Sequence, residues 1–241
     1  MVVSHKYKYI FIHNDKAAGT AIRQHFRRHA PEFAPDFMGN WGRSTTKAIW
    51  DEHSHIMNGC LNQHAEPATI KAYFDLMGWN WDEYFKFGIV RNSFDRIVSA
   101  WEWRRSVVAN SIKDPNNNGD IDNLKNIVAE TDVGFKDFVI TKSQAWNSQL
   151  RYFYSKQTKD WKRPSKEDCV VDFIGRYENL QEDFKHIVKT ILPNASDELC
   201  VLKKRNQSIR KKDYRSYYND ETRKIIEENL SYELEFLGYE Y

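Results

Sequence analysis

The chain opens on a short β-prone run, Tyr7 to His13 (YKYIFIH). That run breaks off at Asn14-Asp15-Lys16-Ala17-Ala18-Gly19-Thr20 and continues as AIRQHFRRHA, which reads as a helix. A buried strand that hands over to a helix through so short a loop commits the start of the chain to a β–loop–α unit. Such a unit buries itself only in layered α/β packing. The loop is also chemically biased. Small residues let the backbone approach a ligand closely, and a helix N-terminus presents N–H groups and a partial positive charge. Lys16 adds a full charge and Thr20 a hydroxyl donor, so the stretch Lys16, Ala17, Ala18, Gly19, Thr20, Ala21 suits a phosphate or phosphosulfate. Taken alone, the same loop also reads as an ordinary strand-to-helix turn. A P-loop NTPase would carry G-x-x-x-x-G-K-[ST]. Here Lys16 precedes the small residues, and the loop has no Ser or Thr directly after a lysine to hold magnesium.

The pattern then repeats. Pro31 to Thr46 reads as irregular, and Pro67 to Met77 as a helix with Pro67 in its first turn. Phe85 to Val90 (FKFGIV) reads as a second strand. Beyond Arg91, the segment Phe94 to Val108 has helical period, with Phe94, Ile97, Val98, Trp101 and Val108 on one side and Asn92 or Ser93 as N-cap. Asn110 to Asn123 is polar and turn-rich and reads as a loop. Phe135 to Lys142 reads as a helix and Cys169 to Gly175 as a third strand. Helices follow over Leu180–Leu192 and Asp220–Leu237, the last ending before Gly238. Strands alternating with helices predict an α/β fold with a parallel sheet flanked by helices, in a single domain over residues 1–241.

The second strand end carries Arg91-Asn92-Ser93-Phe94-Asp95-Arg96-Ile97-Val98-Ser99-Ala100. Arg91 falls at the mouth of a helix, with Ser99 two turns on. An arginine with a serine hydroxyl is a good pair for a terminal phosphate. The alternative is that Arg91 and Arg96 only pair with Asp95 or other surface acids. As an ordered pair, the two motifs resemble the PAPS-dependent sulfotransferases (PAPS is 3'-phosphoadenosine 5'-phosphosulfate), most closely the carbohydrate-type and bacterial branch. In that family a K-x-x-x-[ST] loop binds the 5'-phosphosulfate, and a strand ending in R-[DN]-P-x-x-R-x-x-S binds the 3'-phosphate. Arg176-Tyr177-Glu178-Asn179-Leu180 and the ending Tyr217 to Thr222 with Leu237-Gly238-Tyr239 are similar to the family too. Two residues depart from it: Asp15 stands where the family has Pro before the lysine, and Ser93 replaces the Pro after Arg-Asn.

The resemblance implies a sulfotransferase fold, P-loop-NTPase-like in its sheet, and an in-line displacement at sulfur with PAPS as co-substrate. Lys16 would stabilise charge on the departing phosphate, Arg91 and Ser99 would hold the 3'-phosphate, and no metal is needed. The acceptor is a small molecule or carbohydrate offering a hydroxyl or an amine. A general base takes its proton, and His64 matches the family's place for it, with His53, His55, Glu52 and Glu66 as alternatives. As metal ligands, His53, His55, Cys60 and His64 have the spacing of no common zinc site. The basic run Lys203 to Lys212 reads either as a ligand-closing segment or as a solvated loop. Two competing readings remain: a non-catalytic module for sulfated or phosphorylated glycans, and a divergent P-loop kinase.

Composition narrows the classes. Over 241 residues, 36 Lys and Arg against 34 Asp and Glu leave a net charge of +2, too balanced for a nucleic-acid-coating surface. Three widely spaced cysteines predict no disulfide framework. Without an apolar run long enough for a membrane segment or a recognisable signal peptide, the expected location is cytoplasmic. Aromatics at 15% predict a Tyr- and Trp-rich core, with Trp101 and Trp103 as core and rim.

Overall fold

The computed structural model describes residues 1–28, 37–40, 43–44, 64–113, 134–142, 148–154, 168–203 and 213–241. Its strands are β1 (Val2–Ser4), β2 (Tyr9–Ile12), β3 (Phe37–Asn40), β4 (Arg43–Ser44), β5 (Phe85–Val90) and β6 (Phe173–Arg176). The α-helices are α1 (Gly19–Arg28), α2 (Pro67–Leu76), α3 (Ser93–Lys113), α4 (Phe135–Lys142), α5 (Leu180–Ile191), α6 (Asp220–Asn229) and α7 (Ser231–Leu237). The chain divides into two compact units. The first is Met1–Arg91 with Gln149–Asn206, and the second is Asn92–Ser148 with Gln207–Tyr241.

The sheet lies in the first unit, in the order β4-β3-β1-β2-β5-β6. Strands β2, β5 and β6 are parallel, as alternation with helices predicts. The parallel sheet expected from the sequence is present in these three strands, and the sheet as a whole is mixed, because β1 runs antiparallel to β2 and β3, and β3 antiparallel to β4. The reason is chain length. Only His5 to Lys8 separate β1 from β2, far too few residues for a crossover, so the pair closes as a hairpin with Lys8 at φ 51°. Likewise, the irregular reading of Pro31 to Thr46 gives way to paired backbone at Phe37–Asn40 and Arg43–Ser44.

Strand alternation sorts the core. Tyr9 and Phe11 of β2 share a face with Phe87 and Ile89 of β5, and onto it pack Ile22 and Phe26 of α1 and Phe184, Ile187 and Val188 of α5. The rings of Phe11 and Phe87 stack with centroids 5.2 Å apart, and Tyr9 meets Phe26 at 5.2 Å. Each fully buried ring of this kind contributes about 2–3 kcal/mol. Gly88 points the other way, and a Cβ there would meet the ring of Phe153 at 2.3 Å and the Ile12 carbonyl at 3.2 Å. Strand β6 is shorter than the predicted Cys169–Gly175: Cys169 makes only an isolated bridge to Tyr154, and regular pairing begins at Phe173. Trp81 packs edge-on to Phe74, whose ring Trp79 and Tyr84 also meet edge-on.

In the second unit, the predicted apolar side of α3 is buried at Phe94, Ile97, Val98 and Trp101, while Trp103 is exposed. Asn92 caps the helix, its Oδ1 accepting from the N–H of Phe94 at 3.0 Å. Trp101 rests on Phe138 of α4, and Phe94 meets Tyr218 and Tyr241 edge-on. The helix expected over Asp220–Leu237 is two helices, because Leu230 turns to ψ 19° between them. The departure at Ser93 has a structural use. Its hydroxyl donates to Glu233 Oε1, which also lies 3.9 Å from the guanidinium of Arg96, with both charged side chains buried. Among the described residues, no helix is long and apolar enough to cross a membrane.

Candidate active site

The loop between β2 and α1 is bent by two left-handed residues, Lys16 at φ 60° and Ala18 at φ 62°. Left-handed backbone at non-glycine residues carries strain that surrounding structure must hold in place. The Ala18 carbonyl accepts from the N–H groups of Ala21 (2.9 Å) and Ile22 (3.2 Å), so it caps α1 from outside. Gly19 and Thr20 therefore occupy the first turn, whose N–H groups have no carbonyl within the helix to bond. Ala17, Gly19 and Ala21 are buried, Ala18 is half-buried and Thr20 is exposed. Gly19 is dictated by its neighbour, since a Cβ there would fall 1.7 Å from the imidazole of His13.

Lys16 and Arg91, 75 residues apart, meet through the backbone: the Arg91 guanidinium donates to the Lys16 carbonyl at 3.0 Å. Arg91 is held from three sides. Gln149 accepts from its N–H (2.9 Å) and donates to its carbonyl (2.8 Å), and its guanidinium lies 4.0 Å from the ring centroid of Tyr177. The Gln149 Oε1 also accepts from Asn14 Nδ2 (2.8 Å), which donates as well to the Ile89 carbonyl (2.9 Å). One buried amide thus ties the ends of β2 and β5 together. Burial, and after it the Arg91 charge, push the Lys16 ammonium down from its ordinary value to about 8, against the opposing pull of Asp15. A nearby negative charge would favour the charged form of Lys16 again.

His64, just before α2, stands at the same loop. Its Nδ1 donates to the His13 carbonyl at 3.0 Å, and its Nε2 lies 3.0 Å from Asp15 Oδ1. Asp15 Oδ2 accepts from the Tyr152 hydroxyl (2.9 Å) and lies 3.8 Å from the Arg151 guanidinium, which donates to the same hydroxyl at 2.6 Å. Burial holds His64 below the usual imidazole value, although Asp15 and the His13 carbonyl pull it up. His13, whose ring lies 4.5 Å from that of His64, is held well below by burial.

Of the residues singled out in the sequence, Lys16 to Ala21, Arg91 and His64 come together in the first unit. Ser99 lies in the second turn of α3, half-buried, in the second unit. Glu66 is the N-cap of α2 and makes no side-chain cap bond. Glu52, His53, His55, Cys60, Trp41, Trp50 and Lys204 to Lys212 lie outside the described residues, as does the loop beyond Lys113 up to Asn123. Asn14, Gln149, Tyr152 and Tyr177 carry parts of the site that the sequence reading did not assign. Tyr177 sits in a segment noted as family-like, whereas nothing local marks Gln149. Among the described residues, no group of three or more His, Cys, Asp or Glu stands where it would hold a metal ion.

The fold is thus an α/β sheet with a cationic loop after one strand and a clamped arginine at the end of the next. The family is equally plain: the model of the sulfotransferase family matches residues 1–241, the whole chain, and the chain belongs to that family. It is a transferase of sulfuryl groups. Comparison with curated proteins and with solved structures returned no match.

Proposed function

We propose that the protein, as one sulfotransferase domain over residues 1–241 with a sheet of the P-loop nucleotide-binding kind, transfers a sulfuryl group from PAPS to the hydroxyl of a carbohydrate acceptor. An amine acceptor is served by the same chemistry. The observation that carries the proposal is the Arg91 guanidinium on the Lys16 carbonyl: the nearness of these two residues supports a donor phosphorylated at both its 5' and 3' positions. In this scheme Lys16, the first-turn amides of α1 and Thr20 receive the 5'-phosphosulfate, with Ala17, Ala18, Gly19 and Ala21 allowing close approach. Arg91 receives the 3'-phosphate. The acceptor oxygen bonds to sulfur in line as the S–O bond to the 5'-phosphate breaks. The electron pair stays on that phosphate, where Lys16 opposes the growing charge, and the acceptor proton goes to His64. No step is routed through a metal. A cytoplasmic location is part of the same proposal.

Calorimetric titration with 3',5'-ADP in the absence of magnesium tests the donor site. Wild-type protein is expected to bind, and Lys16→Ala and Arg91→Ala are each expected to weaken binding by tenfold or more, about 1.4 kcal/mol. Folded wild-type protein that ignores 3',5'-ADP while retaining affinity for a sulfated glycan overturns the enzyme reading in favour of a binding module.

A further inference from the structure

Both ring nitrogens of His64 are turned toward protein atoms. A carbonyl oxygen can only accept, so the proton at the His13 carbonyl stays on Nδ1 whatever the pH. The other nitrogen, Nε2, is turned 3.0 Å from Asp15 Oδ1. The exposed member of the pair is Asp15, whose side chain is 37% exposed against 18% for His64. Oδ2 keeps a second lone pair beyond its bond to Tyr152, and while burial keeps the imidazole neutral the place for a proton between Oδ1 and Nε2 is vacant. Asp15 also directly precedes Lys16, the residue that faces the departing phosphate in the proposed reaction.

We propose that Asp15 is the group that meets the acceptor, and that its proton reaches His64 through the Asp15 carboxylate. The inference rests on the sulfotransferase reading above and assigns a catalytic role to Asp15, one of the two residues that depart from the family pattern. The acceptor's O–H proton passes to Asp15 as the acceptor oxygen bonds to sulfur. It settles between Oδ1 and Nε2, leaving imidazolium against carboxylate, and returns to water from the exposed Asp15 edge after product leaves. A lone carboxylate is a weak base at neutral pH, and an imidazole is suited to it; in tandem, the carboxylate supplies reach and the imidazole supplies basicity. Tyr152 and Arg151 hold the carboxylate in the orientation this needs. The charges facing the pair are those of Lys16, Arg151 and the Met1 amino group, with His13 kept neutral by burial.

The test uses full-length wild type, Asp15→Asn, His64→Asn, the double variant and Tyr152→Phe. For each, 3',5'-ADP affinity, single-turnover transfer from PAPS to glucose, galactose and N-acetylglucosamine, and the 15N-detected titration of the His64 ring are measured. Asp15→Asn is expected to keep 3',5'-ADP affinity within about threefold and to lose about 100-fold or more in transfer, the range of a general base. His64→Asn is expected to match it, and the double variant to lose no more than either single one, as members of one unit behave. Loss of the Asp15 charge is expected to move the His64 titration down by about half a unit or more. Tyr152→Phe is expected to move the acidic limb of the transfer rate upward, a shift that a merely structural hydroxyl would not produce. Asp15→Asn that transfers within about fivefold of wild type, or a His64 titration that does not move, overturns the proposal. Wild type that fails to bind 3',5'-ADP instead removes the donor reading, and the His64 titration still decides whether the two side chains act together.

Discussion

Lys16 offers the most quantitative handle on the donor site, because burial and Arg91 leave its ammonium at about 8 rather than the ordinary 10.5. The gap corresponds to about 3 kcal/mol of lost preference for the charged form, at 1.36 kcal/mol per unit. A phosphate against Nζ restores that preference, so binding and proton uptake are linked. If 3',5'-ADP returns Lys16 to its ordinary value, binding takes up about 0.1 proton at pH 7, about 0.5 at pH 8 and about 0.9 at pH 9. The sign follows from the depressed value: the free site loses its charge as pH rises through 8, and affinity therefore falls about tenfold from pH 7 to pH 9. The ligand's own phosphates, with second ionisations at about pH 6, are about nine-tenths ionised at pH 7 and essentially fully ionised at pH 8 and 9, so the uptake at the two higher pH values is the one that reports Lys16; His64, already held below the usual imidazole value, does not titrate there. Binding heats in buffers of different ionisation enthalpy measure the uptake directly. Lys16→Arg, whose guanidinium stays charged, is expected to bind with no uptake and no fall in affinity. Uptake near zero at pH 9 in wild type, or uptake that persists in Lys16→Arg, refutes the assignment of Lys16 to the ligand phosphate.

Three further outcomes follow from the packing. Gln149→Leu removes the bonds to both backbone groups of Arg91 and to Asn14; urea unfolding is expected to show a loss of about 2–4 kcal/mol, and 3',5'-ADP binding is expected to weaken with it as Arg91 loses its anchor. Gly19→Ala forces a methyl group onto the His13 imidazole and is expected to cost about 1–3 kcal/mol, of which His13→Ala in the same chain recovers at least half, read from thermal midpoints; equal loss in the double variant would place the strain elsewhere. Glu233→Ala, which strips the buried Arg96 guanidinium of its carboxylate, is expected to cost about 3–5 kcal/mol, whereas Ser93→Ala costs only about 1–2, both by urea titration.

How much was legible in advance depended on how local the cause was. The order of strands and helices was legible because hydrophobic period and turn residues act within a few positions: β2, β5, α1, α2, α4 and α5 stand where the pattern put them. So was the nearness of Lys16 to Arg91, since the residues that follow β2 and β5 must emerge at the same end of the sheet once the two strands pair in parallel. Where the pattern was thin, the reading slipped. The three-residue β1 offered no periodicity, so its antiparallel hairpin went unseen, and with it the mixed character of the sheet.

By itself, the sequence determined the α/β class, the family to which the chain belongs, and the pair of strand-end motifs that meet at one edge. Tertiary structure decided the rest through contacts between residues far apart in the chain. Gln149 is an unremarked amide until folding places it between Asn14 and Arg91. Asp15, read along the chain, is an acid that weakens a cationic loop. In the fold it bridges His64, 49 residues later, and Tyr152, 137 residues later. The physical reason is the same in both cases: a buried or half-buried polar group takes its meaning from the partner that satisfies it, and that partner is chosen by packing, not by neighbours in the chain.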